Sequence, residues 1–181
     1  MAIYLAHYEK KYTGLAYKFK VNPVSCANHS HFEAYLRISA ITDYITGKGK
    51  THVIIDEVDN GGMKIVGFVT LRATSLIIAE QSSQIGRPAI EITEIAVDVD
   101  YERKGFGREL VNVALAIADE LRHNYVGIEY VVACADPIAE SFYTHMGFAK
   151  LSNYYEVPRE GWNIECVPMA FKFSEMTNEY P

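Results

Sequence analysis

A short apolar run feeding into two glycines one residue apart constrains this chain more than any other feature. Ile95-Ala96-Val97 reads as the tail of a strand central in a sheet, and Gly105 opens a long helix. Phe106, Leu110, Val113, Ala114, Ile117 and Leu121 recur at the spacing of one buried helical stripe, with Arg108, Glu109, Asn112, Asp119 and Glu120 on the wet side. Backbone N–H groups at a helix start have no intrahelical partner, and the helix dipole adds partial positive charge there. Glycine lets an anion approach such a start without a Cβ in the way. Arg103, Lys104 and Arg108 add cations around it. A helix with a glycine-rich start and solvated basic residues satisfies the same pattern.

Two other phosphate loops do not fit. A Walker loop needs four residues between its glycines and then Lys-Ser or Lys-Thr, where this chain has Arg108-Glu109. A dinucleotide fingerprint needs a third glycine where Leu110 stands.

The rest of the chain supplies the surroundings. Ile3 to His7 reads as a first strand. Phe32, Tyr35, Leu36, Ile41, Tyr44 and Ile45 suit one or two amphipathic helices from about Asn28, ended near Gly47 and Gly49. Thr51–Glu57 and Met63–Leu71, joined by Asp59-Asn60-Gly61-Gly62, predict a hairpin. Ala79 to Arg87 reads as a polar loop, Ala89 to Val99 as a strand, and Gly127 to Cys134 as another buried strand. Asp136-Pro137 gives an N-cap with proline at the first helical position, and the helix it starts carries Ile138, Phe142 and Met146 inward and stops at Gly147. Val167 to Phe173 closes the series. The order β, α, β-hairpin, β, α, β, α, β predicts an α+β sheet domain, not a doubly wound one.

Two blocks together resemble the GNAT family of N-acetyltransferases. The first is Glu102-Arg103-Lys104-Gly105-Phe106-Gly107, similar to the family's Q/R-x-x-G-x-G/A loop after an apolar strand, with Glu102 at the Q/R position as a departure. The second is Asp136-Pro137-Ile138-Ala139-Glu140-Ser141-Phe142-Tyr143-Thr144-His145-Met146-Gly147-Phe148, similar to N-x-x-A-x-x-F-Y-x-x-x-G-F with Asp136 for Asn. The resemblance spans roughly Ala89 to Phe148.

It implies a three-layer α-β-α fold over residues 1–181, with a mixed, mostly antiparallel sheet splayed between two parallel strands, here Ile92–Val99 and Ile128–Cys134. The pantetheine arm of acetyl-CoA would enter that splay. Main-chain groups of Ile95 and Val97, flanking Ala96, would pair with it, and those of Arg103, Lys104, Gly105, Phe106, Gly107 and Arg108 would hold the pyrophosphate. Asp136, Ala139 and Phe142 would lie beside the arm and thioester. Tyr143 stands where the family often has the acid that protonates the departing thiolate, or it is an aromatic cap on the sheet. Glu91, or Glu94 if a bulge redirects the strand, is the candidate base for the acceptor amine. Each is also readable as a solvent-facing strand residue. A backbone N–H near Val97 would polarise the thioester carbonyl. Cys134 leaves a covalent route open beside a plain buried role.

The acceptor expected from sequence is a small-molecule or peptide amine. The alternatives are a tRNA- or ribosome-directed enzyme of the toxin type and a non-catalytic acyl-CoA sensor. The net charge of −6 shows no clustered positive field and argues against nucleic acid. The early helices, the Ala79–Arg87 loop and Tyr154–Glu165, with Tyr154, Tyr155 and Trp162, are expected to set acceptor choice. A homodimer follows by family habit only. No apolar run approaches a bilayer span and residues 1–20 are charged throughout, so the expected location is cytoplasmic. Cys26, Cys134 and Cys166 are odd in number and far apart, which predicts neither disulfide framework nor zinc knuckle. His29 and His31 form an isolated H-x-H, read as a polar helix start rather than a metal site, and no metal is expected.

Overall fold

The structure, a computed structural model, describes residues 2–26, 28–58, 61–80, 83–151 and 166–173. The Tyr154–Glu165 segment lies outside the described residues. Strands β1 (Ile3–His7), β2 (Lys50–Val58), β3 (Gly62–Glu80), β4 (Ser83–Val97), β5 (Tyr130–Ala135), β6 (Ala149–Lys150) and β7 (Val167–Lys172) form one sheet in the order β1-β2-β3-β4-β5-β7-β6. The β1–β2, β2–β3, β5–β7 and β6–β7 pairs are antiparallel and β4–β5 is parallel. This is the mixed α+β architecture that the element order implies.

By contacts the chain groups into two compact units, Met1–Arg72 with Thr93–Asn112, and Ala73–Ile92 with Val113–Pro181. In the first, α1 (Thr13–Ala16) is followed by α2 (His29–Ala34), a π-helical turn over Tyr35–Ser39, and α3 (Ala40–Thr46). Gly47, left-handed at φ 72°, ends α3, and its N–H caps Asp43 and Tyr44. Tyr35, Leu36 and Ala40 join Val53, Ile55, Phe68 and Ala96 in this unit's core. Fully burying a side chain of this size contributes about 1.5–3 kcal/mol.

The register of β2 on β3 slips between Ile54↔Gly67 and Ile55↔Ile65, leaving Val66 as the extra residue. Its carbonyl accepts from Asp98 N at 2.8 Å, where the chain leaves β4. A bulge thus fixes the exit of β4 into the glycine-rich turn. Gly67, beside it, is a glycine of necessity: a Cβ there would lie 2.9 Å from both the Ala96 carbonyl oxygen and Leu110 Cδ1. Helix α4 (Phe106–Asn124) begins in this unit and buries Leu110 and Val111.

In the second unit β3 and β4 continue as a long hairpin arm. The loop expected over Ala79–Arg87 is corrected: those residues fall within the ends of β3 and β4, apart from 81 and 82, which lie outside the described residues. The polar composition that suggests a loop belongs to strands with a wet face, since Ser75, Ile77 and Gly86 are exposed while Leu76 packs with Ala89, Val132 and Ala170. Pro137–Ala139 form a 3-10 turn before α5 (Glu140–His145), so Ile138 is not inward but 71% exposed. The tighter turn changes the helical phase on which the inward stripe depends. Cys134 and Cys166 are joined as a disulfide with Cα atoms 5.4 Å apart, which corrects the expectation of unpaired thiols and removes Cys134 as a nucleophile in this state.

Candidate active site

The first unit carries the strand tail, the turn and the helix mouth. Beyond the last β4–β5 pair, Ile92↔Ala133, β4 continues through Thr93 to Val97. Ala96 is buried in the core on one face, while Ile95 and Val97, on the other, are half-buried. Asp98, almost fully buried, organises the turn after the strand. Its carboxylate accepts from Lys20 N at 3.0 Å and Asp100 N at 3.1 Å and pairs with Lys64 Nζ at 3.0 Å. Lys64 also pairs with Asp100, whose carboxyl its ammonium holds below the usual carboxylate range. Tyr101 donates to Asp56 at 2.6 Å; burial first, and that carboxylate second, push its hydroxyl up to about 12.

The glycine-rich turn has two left-handed residues, Arg103 at φ 58° and Gly105 at φ 90°. Alternation of this kind aims successive N–H groups toward one side. Gly105 is exposed, and a Cβ there would meet nothing within 4 Å. Glycine serves its backbone angle here rather than a tight contact. Arg103 and Arg108 are exposed. Lys104 bends back, donating to Asp100 O at 2.7 Å and covering the Tyr101 ring, and Phe106 meets the same ring edge-on at 5.8 Å. Gly107 follows in the first turn of α4.

Glu102, the departure from the Q/R pattern, faces inward to the chain. It accepts from Asn22 Nδ2 at 3.0 Å and Ser25 Oγ at 2.7 Å. Lys20 O accepts from Val99 N at 2.8 Å. The segment leading into α2 is thereby stitched to both ends of the turn. Sequence reasoning misses Asn22, Ser25 and Asp98, because partners about eighty positions apart leave no local signal.

Glu94 faces the early helices. It is 8% exposed, and its Oε2 lies 3.1 Å from His31 Nε2 on α2. The H-x-H pair draws attention to His31, but nothing in the sequence connects it to a strand sixty-three residues on. Its ring stacks on Tyr35, which donates to Asp43 at 3.0 Å. On the same helix Glu33 gathers Lys20, Val21 N and Arg37; burial opposes its ionisation, but these donors together hold its carboxyl below the usual range.

The second unit carries the remaining candidates. Glu91 is fully buried and sits opposite Val132 in the parallel register, so the two carboxylates of β4 occupy different surroundings. Asp136 accepts from Ile138 N at 3.0 Å, the capping role expected of it. Ala139 precedes α5, and Phe142 is half-buried on it. Tyr143 is 4% exposed, with its ring 5.3 Å from both Phe142 and Phe148, edge-on to each. Among the described residues no group of three His, Cys, Asp or Glu side chains is arranged to hold a metal ion. No helix among them is long and apolar enough to cross a membrane.

A strand tail running past its parallel partner into a glycine-opened helix, with a capped Phe-Tyr helix after the next strand, defines an acyltransferase of the N-acetyltransferase class. Residues 20–148 match the acetyltransferase (GNAT) family, and the chain belongs to it. No curated protein matches the sequence. Among solved structures, a bacterial toxin is 22% identical, with 97% of this chain and 93% of that chain covered at a TM-score of 0.72. AtaT complexed with acetyl-methionyl-tRNAfMet is 14% identical, with 97% of each chain covered at 0.75. AtaTR bound with acetyl-CoA is 15% identical, with 96% of this chain and 95% of that chain covered at 0.70. At these identities the likeness establishes the fold.

Proposed function

We propose that the chain uses acetyl-CoA to acetylate a primary amine by direct attack in a ternary complex. The observation that carries this is the exit of β4: Ile95 to Val97 run past the last β4–β5 pair into a turn whose positive φ angles at Arg103 and Gly105 suit a diphosphate. In this reading main-chain groups of Ile95 and Val97 pair with the pantetheine arm around Ala96. Those from Arg103 through Lys104, Gly105, Phe106 and Gly107 to Arg108 hold the pyrophosphate. Asp136 caps the short turn through Ala139 that leads into the helix of Phe142, and these three residues are assigned to the side of the arm.

Tyr143 serves as the acid for the thiolate. Its enclosure by Phe142 and Phe148 supports a role as a neutral donor, since an apolar setting disfavours the phenolate. Of the two carboxylates, Glu94 is favoured over Glu91 on the amine side, because Glu91 is wholly enclosed. Holding amine and thioester together supplies much of the acceleration.

For the acceptor we favour the α-amine of an aminoacyl-tRNA over the small molecule or peptide expected from sequence. Support comes from the nearly full-length likeness to AtaT complexed with acetyl-methionyl-tRNAfMet. A protein partner of the antitoxin type is the companion proposal, since AtaT is also known bound to the C-terminus of the antitoxin AtaR. The net charge of −6 favours a second reading, a cationic small molecule or peptide. Calorimetry with acetyl-CoA tests the donor, and absence of binding at millimolar ligand overturns the reading. Mass spectrometry of aminoacylated tRNA and of peptide amines, each incubated with enzyme and acetyl-CoA, separates the acceptors.

A further inference from the structure

The proposed reaction needs a group that removes a proton from the amine, and the structure offers a pair rather than a lone carboxylate. His31 Nε2 and Glu94 Oε2 are 3.1 Å apart, with the His31 side chain 37% exposed and that of Glu94 9% exposed. A carboxylate so placed takes the Nε2 proton and leaves the lone pair on Nδ1 as the acceptor. The imidazole is thus the wetter member and the carboxylate the enclosed one. A base must reach its substrate, and the acid that supports it need not.

The pair is held in position from three sides. Glu94 immediately precedes Ile95 on the strand assigned to the pantetheine arm. Tyr35 stacks on the His31 ring at a centroid distance of 6.4 Å and is itself fixed by Asp43 and by stacking on Phe68. The lead-in to α2 is stitched to the glycine-rich turn through Asn22, Ser25 and Glu102, so α2 and the proposed phosphate turn are fixed relative to each other.

We propose that His31 is the proton acceptor for the attacking amine and Glu94 its positioning residue; the inference rests on the acetyl-transfer reading above. As the amine nitrogen bonds to the acyl carbon, the carbon–sulfur bond breaks and its electron pair leaves with sulfur. The nitrogen's proton passes to His31 Nδ1. Glu94 stabilises the imidazolium, which then releases the proton to water, while the thiolate takes its own proton from the general acid.

The test measures free-thiol release from acetyl-CoA with bulk aminoacylated tRNA as acceptor, alongside calorimetric acetyl-CoA affinity. His31→Gln, which keeps shape and hydrogen bonding but takes no proton, is expected to lower kcat by about 100-fold or more with acetyl-CoA affinity unchanged. His31→Ala is expected to recover part of its rate in added imidazole. Glu94→Gln removes the anion beside the imidazolium, so the acid limb of the kcat/KM profile moves to lower pH. That profile is read with both Glu94 and Tyr35 against the ring. His31→Gln within about threefold of the parent rate overturns the proposal. So does a slow His31→Ala that imidazole does not rescue and whose acid limb matches the parent's, because that pattern marks a structural role. Failure of the unaltered protein to bind acetyl-CoA is a different result and strikes the parent reading instead.

Discussion

Gly67→Ala and Gly14→Ala are the same chemical change and are expected to act in opposite directions. At Gly67 the new methyl would sit 2.9 Å from the Ala96 carbonyl oxygen, 2.9 Å from Leu110 Cδ1 and 3.4 Å from Val97 Cα. Two of those neighbours are backbone of β4, and Leu110 is fully buried, so no flexible side-chain end absorbs the clash. Overpacking of this kind costs about 1–3 kcal/mol. The restricted unfolded chain returns about 0.4–1 kcal/mol. The net is a loss of roughly 1–2 kcal/mol, or a Tm lower by about 2–8 °C for a domain of this size. At Gly14, in α1, the methyl meets nothing within 4 Å, and alanine in place of glycine inside a helix stabilises by about 0.5–1 kcal/mol. Urea unfolding of the two variants and the parent reads both signs. The shift at Gly67 must also displace Ala96 and Val97, so weaker acetyl-CoA binding accompanies it. A Gly67→Ala protein as stable as the parent would refute the reasoning, because it would show that the bulge and β4 move apart freely.

His52 is buried beside His7, and burial first, with His7 and Lys50 after it, pushes its imidazole from 6.5 down to about 4. The unfolded chain therefore binds this proton more readily than the folded one. Stability is full above pH 6.5 and falls as the pH drops toward 4, by about 3 kcal/mol in total. His52→Phe should flatten the unfolding free energy between pH 6.5 and 5; an unchanged slope assigns the loss to other groups. Tyr143→Phe should lower the transfer rate by about 100-fold with acetyl-CoA affinity unchanged, and an undiminished rate removes Tyr143 as the acid. Glu102→Ala deletes the acceptor for Asn22 and Ser25 and should raise the KM for acetyl-CoA several-fold with little change in kcat. A normal KM would mean that the turn holds its shape without that brace.

The sequence makes visible those parts whose cause is local. Helix α4 announces itself because Leu110, Ala114 and Ala118 repeat with the helical period, and Gly47 and Gly147 mark helix ends because each takes a positive φ. The hairpin arm reads as a loop because its strands carry polar residues on a wet face, and polarity without period resembles a loop. Ile138 fails for a different reason: the proline that starts the helix also tightens its first turn. The disulfide joins cysteines 32 positions apart, and no spacing rule covers such a pair. Glu94 is visible as a candidate base, but its partner is not, since a strand-to-helix contact leaves no trace in either segment alone.

Glu102 shows how a departure from a motif can be consistent once its neighbours are known. Considered alone, an acidic residue at a position where the family favours Gln or Arg puts a negative charge beside a proposed diphosphate site. In the fold that carboxylate accepts from Asn22 and Ser25, so its charge is directed into two hydrogen bonds on the side of α2. Asp98 does the same one turn earlier with Lys20 N and Lys64. Two carboxylates, one at each end of the turn, tie down the segment that leads to His31. Restoring the family residue with Glu102→Gln would therefore not restore the family geometry, because a glutamine offers one carbonyl where two donors converge. The functional unit is the triple of Glu102, Asn22 and Ser25, and a change at any one is expected to disturb the cofactor turn and the acceptor helix together.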